Sequence, residues 1–174
     1  MAEAMQKAAT FLPIEPLSAD AFRPFGEVIE AGSGAQQFPI NDGFATRYHD
    51  LAHVDVARGG GRVGLSIFRA LPRTLPMRLC VMERHPLGSQ AFVAMSELPF
   101  LVVVAPPTEP LQLQQIRCFL AAAGQGVNYA PGTWHHPLIA LERSSDFLVI
   151  DRCAGTGNNL DEVDVLAAAI WLRA

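Results

Sequence analysis

Short apolar runs, separated by turn-forming residues, recur along most of the chain. The clearest are at 62–70, 77–82, 90–95, 100–105, 116–121, 127–130 and 147–150. Short runs bounded by Gly, Pro, Asn or Ser are typical of β-strands, and six or more at such spacing favour a sandwich or a barrel. We therefore predict a mainly β fold with a few short helices.

The run Arg62–Ala70 alternates most regularly between apolar and other residues. Val63, Leu65 and Ile67 share one face of the predicted strand, and Arg69 follows in the same register. We expect this face to point into the core, which would place Arg69 on the inward side.

Three segments carry helix signals. Ser18 is a suitable N-cap for a helix of one or two turns, which Pro24 and Gly26 end. The segment 109–111 can open a second short helix with its proline at the first position, and 161–172 is the third.

Residues 32–43 are rich in Gly, Ser, Gln and Asn and close on Asn-Asp-Gly, which is a turn signal. We predict a surface loop here that leads into a strand at 44–51. The chain contains no internal repeat and no low-complexity tract.

The composition is that of one compact domain, which we expect to span residues 1–174. Half of the residues are hydrophobic and 17% are charged, which excludes a disordered or collagen-like chain. The 17 acidic residues outnumber the 13 basic ones and give a net charge of -4, with no cluster of positive charge. The sequence therefore lacks the electrostatic footprint of a nucleic-acid-binding protein.

Targeting and redox features favour a cytoplasmic protein without a membrane role. Residues 1–13 contain a single lysine and no apolar stretch long enough for a signal peptide. The longest apolar run, 100–105, is far shorter than the ~20 residues of a membrane span. Cys80, Cys118 and Cys153 form no C-x-x-C pair, so we expect reduced, mostly buried thiols.

Histidines provide the main functional signal. Four of the five lie in three short polar contexts, at 47–50, 83–88 and 132–136. On an extended strand Glu83 and His85 leave the same face, and Gln90 can return toward that face after a turn. With His135 or His136 from another strand, these side chains offer nitrogen and oxygen ligands to one divalent ion.

The same residues resemble a modified pair of cupin motifs. In the ordinary pair the first motif carries two histidines and a glutamate, and the second carries one histidine. Here Glu83-x-His85-x4-Gln90 has Glu at the first histidine position and Gln at the glutamate position. His135 ends the second motif, Pro-Gly-Thr-Trp-His, so we expect it to face inward and His136 to face the other way.

More specifically, six strings resemble the ureidoglycolate lyase family and keep its order. They are Arg-Tyr-His-Asp-Leu-Ala at 47–52, Glu-Arg-His-Pro-Leu-Gly at 83–88, Gln-Ala-Phe at 90–92, Gln-Gly-Val-Asn-Tyr at 125–129, Trp-His-His-Pro-Leu at 134–138 and Asp-Phe-Leu at 146–148. This resemblance, which extends from residue 17 to residue 153, implies a cupin-like β-barrel, an antiparallel double-sheet jelly roll, in a homodimer. It also implies elimination of urea from ureidoglycolate to give glyoxylate, a reaction of allantoin and purine degradation.

The implied reaction needs a base, an acid and an anchor for the substrate carboxylate. The candidates for proton transfer are His85, His135 and Glu83. For the anchor we favour Arg69, because a buried charge demands a partner, with Arg47 and Arg84 as alternatives.

Further polar residues can contact the substrate. Asn128, Tyr129 and Gln90 are candidates for hydrogen bonds to it, although Tyr129 can equally fill the barrel. His49 beside Asp50, with its neighbour Tyr48, is another catalytic candidate. A strand-end hydrogen bond explains His49 equally well.

The candidate ligands of a metal are Glu83, His85, Gln90 and His135. A divalent ion of the nickel, manganese or zinc class would chelate the substrate and lower the pKa of its hydroxyl. Because glutamine is a weak neutral ligand, we expect a weakly held or activating metal.

Structural interpretations remain for other residues. We expect His53 at the surface, Arg84 on the face opposite Glu83, and Asp151 with Arg152 as a solvent or interface pair. Two alternatives to the lyase also remain: an amidohydrolase or isomerase of a related hydroxy acid on the same scaffold, and a non-catalytic small-molecule sensor.

Overall fold

The computed structural model describes residues 8–173. Most of the N-terminal segment 1–13, for which we predict no signal peptide, lies outside the described residues. One short helix, α1 (Ala19–Phe22), accompanies seventeen strands in this range. The strands are β1 (Thr10–Leu12), β2 (Ile14–Pro16), β3 (Gly26–Glu30), β4 (Gln36–Ile40), β5 (Ala45–His49), β6 (Arg62–Ala70), β7 (Met77–Arg78), β8 (Val81–Arg84), β9 (Gln90–Ala94), β10 (Phe100–Ala105), β11 (Arg117–Ala121), β12 (Gln125–Tyr129), β13 (Trp134–His135), β14 (Ile139–Ala140), β15 (Ser145–Cys153), β16 (Asp161–Asp164) and β17 (Ile170–Leu172). The predicted mainly β fold is therefore confirmed.

Two large sheets form the body of the described structure. One has the strand order β16-β8-β13-β10-β11-β2, with β14 also paired to β10, and the other has the order β3-β12-β9-β15-β6. A three-stranded sheet, β1-β17-β7, and the two-stranded β4-β5 complete the architecture. Most neighbouring strands are antiparallel, as expected for a double-sheet jelly roll.

Strand β10 is buried on both faces, which explains why its sequence is apolar without alternation. Its even-numbered residues, from Phe100 to Val104, belong to the core between the two large sheets. Its odd-numbered residues, from Leu101 to Ala105, belong to a second core shared with the three-stranded sheet. The fold therefore has three layers around two apolar cores.

The short helix α1 is confirmed at its predicted N-cap. The Ala21 amide donates to Ser18 Oγ at 3.4 Å, and Phe22 is fully buried in the core between the large sheets. The cap starts the helix, and burial of the phenylalanine holds it against the barrel.

The helix predicted at 161–172 is wrong. The segment forms β16, a 3-10 turn at Leu166–Ala168 and β17. β16 pairs with β8, and β17 pairs with both β1 and β7. Pairing with distant strands outweighs the local helix preference of these residues.

Two other local predictions also need correction. Segment 109–111 is not helical, and only a 3-10 turn follows it at Leu113–Gln115. Side chains from elsewhere in the fold bind this region: Trp134 Nε1 donates to the Thr108 carbonyl at 2.9 Å, and Arg84 binds the Glu109 carboxylate. Residues 32–43 are only partly a loop, since β4 begins at Gln36 and pairs with β5 as a hairpin.

Strand β6 lies where it is predicted, but the orientation expected for it is wrong. Val63, Leu65 and Ile67 are 50%, 70% and 54% exposed. On the other face Ala70 packs against the core between the large sheets, and Phe68, although 41% exposed, contacts the core residue Phe92. Alternation shows which residues share a face and does not show which face is inward.

The three thiols differ in burial, contrary to the expectation that most are buried. Cys118 is buried, and burial raises the pKa of its thiol to about 12. Cys80 is exposed, Cys153 is half-buried, and all three are free. Among the described residues no helix has the length and apolar character needed to cross a membrane.

Candidate active site

Three predicted site residues come together inside the barrel. Glu83 on β8 pairs directly with His135 on β13, so both side chains leave the same face, and His85 follows at the end of β8. One ligand atom from each of the three lies within 4.8 Å of the others. The rings of His85 and His135 are 5.3 Å apart.

Backbone carbonyls set the tautomer of both histidines. His85 Nδ1 lies 2.7 Å from the Asn159 carbonyl oxygen, and His135 Nδ1 lies 2.9 Å from that of Thr133. Because a carbonyl oxygen only accepts, each Nδ1 carries the proton, and each neutral ring keeps a lone pair on Nε2. Both Nε2 atoms are buried without a hydrogen-bond partner, and that of His135 lies 3.4 Å from Glu83 Oε1.

Gln90 adds a fourth acceptor. The side chain is 6% exposed, its Nε2 donates to Asp151 Oδ2 at 3.3 Å, and its Oε1 is buried without a partner. Gln90 and Glu83 line one pocket of about 280 Å³, whose apolar wall includes Phe68 and Phe92. A buried acceptor without a donor is costly, so this pocket is suited to a ligand that supplies positive charge or N–H and O–H groups.

The electrostatics of the site favour an ionised carboxylate. His135 lowers the pKa of Glu83 through Nε2, which lies 3.4 Å from Glu83 Oε1 and donates to it when the ring carries a second proton, while burial acts in the opposite direction. One carboxylate, two imidazole lone pairs and an amide oxygen form a donor set of the kind that holds divalent metals. The residues therefore fit the metal expected from the motif, and Asn159 and Thr133 supply the outer hydrogen bonds that usually orient histidine ligands.

The two consecutive candidates on β12 point in opposite directions. Tyr129 stacks on His135 with ring centroids 4.4 Å apart, and burial raises the pKa of its phenol. Asn128 leaves the other face, where its Nδ2 donates to Glu27 Oε2 at 2.8 Å and to the His53 carbonyl at 2.9 Å. The structure brings Tyr129 to the cluster and does not bring Asn128 to it.

Arg69 lies at the rim of the pocket and not on an inward face. Its side chain is 74% exposed, and its Nε and Nη2 donate to the two oxygens of Asp146 at 2.8 and 2.9 Å. This pairing lowers the pKa of Asp146. The charge is thus presented beside Glu83 and Gln90, but it is not buried as predicted.

The two alternative anchors lie elsewhere. Arg84 faces away from Glu83, as expected, and its nearly buried guanidinium binds Asp161 at 2.8 Å and also Glu109. Arg47 is exposed on β5, in the hairpin that has no backbone pairing with the large sheets.

The other residues of the hairpin are also apart from the cluster. Tyr48 and His49 lie on β5 beside Arg47, and the ring of His49 packs against Phe38 at 5.7 Å. His49 lines a separate pocket of about 410 Å³ with Glu30 and Asp50. Within one chain, therefore, this string does not reach Glu83.

The remaining histidines have different environments. His136 is 5% exposed, and burial lowers the pKa of its imidazole, which favours the neutral form. His53 is exposed, as expected.

Sequence reasoning missed the residues that orient the cluster. The carbonyls of Asn159 and Thr133 have no signal in the sequence, because any residue supplies one. Asp151 could have been found from alternation, since Phe147 and Val149 of the same strand face the core. The predicted solvent pair is wrong: Asp151 faces inward, and Arg152 donates to loop carbonyls.

A family model and the curated relatives that the chain matches all carry the same enzyme description. A model of the ureidoglycolate lyase family matches residues 9–171. The chain is 55% identical over 161 residues to a Burkholderia mallei protein named ureidoglycolate lyase, covering 92% of each chain. It is 50% identical over 151 residues to one from Pseudomonas aeruginosa, covering 87% of this chain and 88% of that protein.

A distant structural similarity is to a mutant of Bacillus subtilis oxalate decarboxylase. The TM-score is 0.32 and the sequence identity 14%. The match covers 69% of this chain and 32% of that protein, so the chain spans about a third of its length.

We predict that His85 and His135 carry their proton on Nδ1 in the metal-free protein when the rings are neutral. Two-bond ¹H–¹⁵N correlation spectra should show a protonated Nδ1 and a bare Nε2 for both rings, with exposed His53 as the reference. A proton on Nε2 of either neutral ring would contradict the assignment.

Proposed function

The chain belongs to the ureidoglycolate lyase family, and we propose that its barrel pocket eliminates urea from ureidoglycolate to leave glyoxylate. The observation that carries this proposal is a set of acceptors centred on Glu83: it clusters with His85 and His135, whose Nε2 atoms are buried without a partner, and it shares a pocket with the buried Gln90 oxygen and with Arg69 at the rim. Ureidoglycolate offers a hydroxyl, ureido N–H groups and a carboxylate, which complement these two parts of the pocket.

The reaction is a balanced elimination. The hydroxyl gives up its proton, the electron pair of that bond forms the carbonyl of glyoxylate, and the carbon–nitrogen bond breaks. The electrons of the broken bond stay on the urea nitrogen, which takes up a proton. We assign removal of the hydroxyl proton to Glu83, because its lowered pKa keeps the carboxylate ionised, and the protonated Glu83 then returns this proton to the urea nitrogen.

A divalent metal would be held by Glu83, His85, Gln90 and His135. When bound, it would coordinate the substrate hydroxyl and carboxylate and lower the pKa of the hydroxyl. Gln90 contributes no charge, so we propose weak binding. Tyr129 keeps its phenolic proton, since burial and the nearby Glu83 raise its pKa, and it can donate a hydrogen bond to the ureido group.

Arg69 is our proposed anchor for the substrate carboxylate. Its guanidinium already binds a carboxylate in the two-point geometry that such an anchor requires, with Asp146 as the partner. Substrate can replace Asp146 without a change in the kind of contact. The pocket rim position of Arg69 puts this exchange next to Glu83 and Gln90.

We also propose that the enzyme is a cytoplasmic homodimer that acts in allantoin degradation. The support for association is the outer face of β6, an edge strand that exposes Val63, Leu65 and Ile67. An exposed apolar edge strand invites pairing unless it is covered. A second copy related by two-fold symmetry would cover this face with the same face.

Purified protein should convert ureidoglycolate into equal amounts of glyoxylate and urea without ammonia. His85→Ala and His135→Ala should each lower the rate by roughly 100-fold or more with an unchanged fold, because each removes a buried acceptor. His53→Ala is the matched control. Ammonia in place of urea would indicate the amidohydrolase, and binding without turnover would indicate the sensor.

Chelation should lower the activity, and added nickel, manganese or zinc should restore it. The same time course with and without chelator checks this. One tightly held metal ion per chain in gently purified protein would contradict weak binding.

Replacing Arg69 with Met should raise KM by about 10-fold with kcat nearly unchanged, since a carboxylate anchor contributes uniform binding. Steady-state kinetics measure the change. Arg62→Met, on the same strand, should leave both constants unchanged. If KM stays the same in Arg69→Met, the anchor lies elsewhere.

Leu65→Lys should convert a dimer into a monomer, because a charge would be buried at the shared face. Sedimentation at micromolar concentration checks the mass. Leu166→Lys, in the exposed turn between β16 and β17, should stay dimeric. A monomeric wild type, or a dimeric Leu65→Lys variant, would refute the assigned face.

A further inference from the structure

Asp151 is an acidic residue on the inner face of the barrel wall. On β15 it follows Phe147 and Val149 in register, and both of these are buried in the core. Its direct neighbours across the sheet are Gln90 on β9 and Gly64 on β6. A Cβ at Gly64 would lie 3.3 Å from Asp151 Oδ1, so the glycine leaves room for this carboxylate.

The contact with Gln90 determines which end of the amide faces the pocket. The two ends of a glutamine amide have nearly the same shape, so packing alone does not distinguish them. An ionised carboxylate accepts hydrogen bonds and donates none. Because Asp151 Oδ2 lies 3.3 Å from the amide, it selects Nε2, and Oε1 becomes the buried end without a partner.

We propose that Asp151 is a positioning residue, which holds the Gln90 amide with its oxygen toward Glu83, His85 and His135. This inference rests on the proposed function for the identity of the site. It explains how a neutral glutamine serves in an all-acceptor site. A turned amide would present N–H groups to a bound cation and repel it.

The consequence is selectivity of the site for a cation or for a group that donates hydrogen bonds. The Glu83 carboxylate and the unpartnered Nε2 atoms of His85 and His135 are likewise acceptors, and backbone carbonyls accept the outer hydrogen bonds of the two histidines. For Gln90 the outer hydrogen bond is accepted by the side chain of Asp151. Mutagenesis can remove this acceptor, whereas it cannot remove a backbone carbonyl.

The test is a double-mutant cycle of Asp151→Asn and Gln90→Glu, read by calorimetric titration with Ni²⁺ alone and by turnover. Asp151→Asn should weaken Ni²⁺ binding by roughly 10-fold, since asparagine accepts either end of the amide. In the Gln90→Glu background the same change should not weaken binding, because a carboxylate has two equivalent oxygens. Removal of the negative charge of Asp151 beside Glu at position 90 should even strengthen it.

Asp20→Asn, at an exposed position that does not line the pocket, is the control for the charge change, and thermal unfolding monitors the fold. An equal loss in both backgrounds, or no loss in Asp151→Asn, would overturn the proposal. A purely structural role for Asp151 predicts the equal loss. Rescue by Gln90→Glu is therefore the decisive result.

Side-chain amide exchange of Gln90 provides a readout that does not depend on metal or substrate. In ¹⁵N spectra the Gln90 amide protons should exchange slowly in the wild type and faster in Asp151→Asn. If the wild type binds no Ni²⁺ and turns over no ureidoglycolate, the proposed function fails, and this exchange still decides the role of Asp151. Unchanged exchange would overturn that role.

Discussion

The double burial of β10 is the constraint on which the rest of the structure depends. This strand separates the two apolar cores, and its neighbours in the sheet inherit their orientation from it. Val104 pairs with His135, and Ala105 pairs with Trp134. His135 must therefore share the barrel face of Val104, while Trp134 packs into the second core. The next pairing places Glu83 beside His135.

The site side chains His85, His135 and Gln90 each make a hydrogen bond at their outer end, whereas their buried acceptor atoms have no partner. The outward nitrogens of His85 and His135 are held by backbone carbonyls, and the outward end of the Gln90 amide is held by Asp151. Each buried acceptor that is left without a partner costs about 1–3 kcal/mol of stability. Such a cost is typical of a preorganised site, because a ligand with positive charge or donor groups removes it on binding. Stability is thus given up where recognition is needed.

Strand β6 has two different uses on its two faces. One face carries Phe68 against the core, and the other carries exposed aliphatic residues that end at Arg69 on the pocket rim. In the proposed dimer the strand that forms the interface is also the strand that presents the anchor. Association and substrate binding would then depend on the same strand. The two hydrogen bonds that orient Arg69 go to Asp146 of the same chain, so they do not require the dimer.

Local patterns in the sequence determined the strands at the apolar runs between residues 62 and 150, the cap at Ser18, the common face of Glu83 and His85, and the motif that points to His135. These features depend on neighbours along the chain, so a period of two residues or a capping side chain suffices to predict them. Tertiary structure alone decided which face of β6 is inward, why 161–172 forms strands, and why Asn128 points away from the cluster. Each of these depends on pairing with residues far away in the chain, which local periodicity does not encode. The tautomers of the two histidines belong to the same class, since backbone carbonyls brought near by the fold select them.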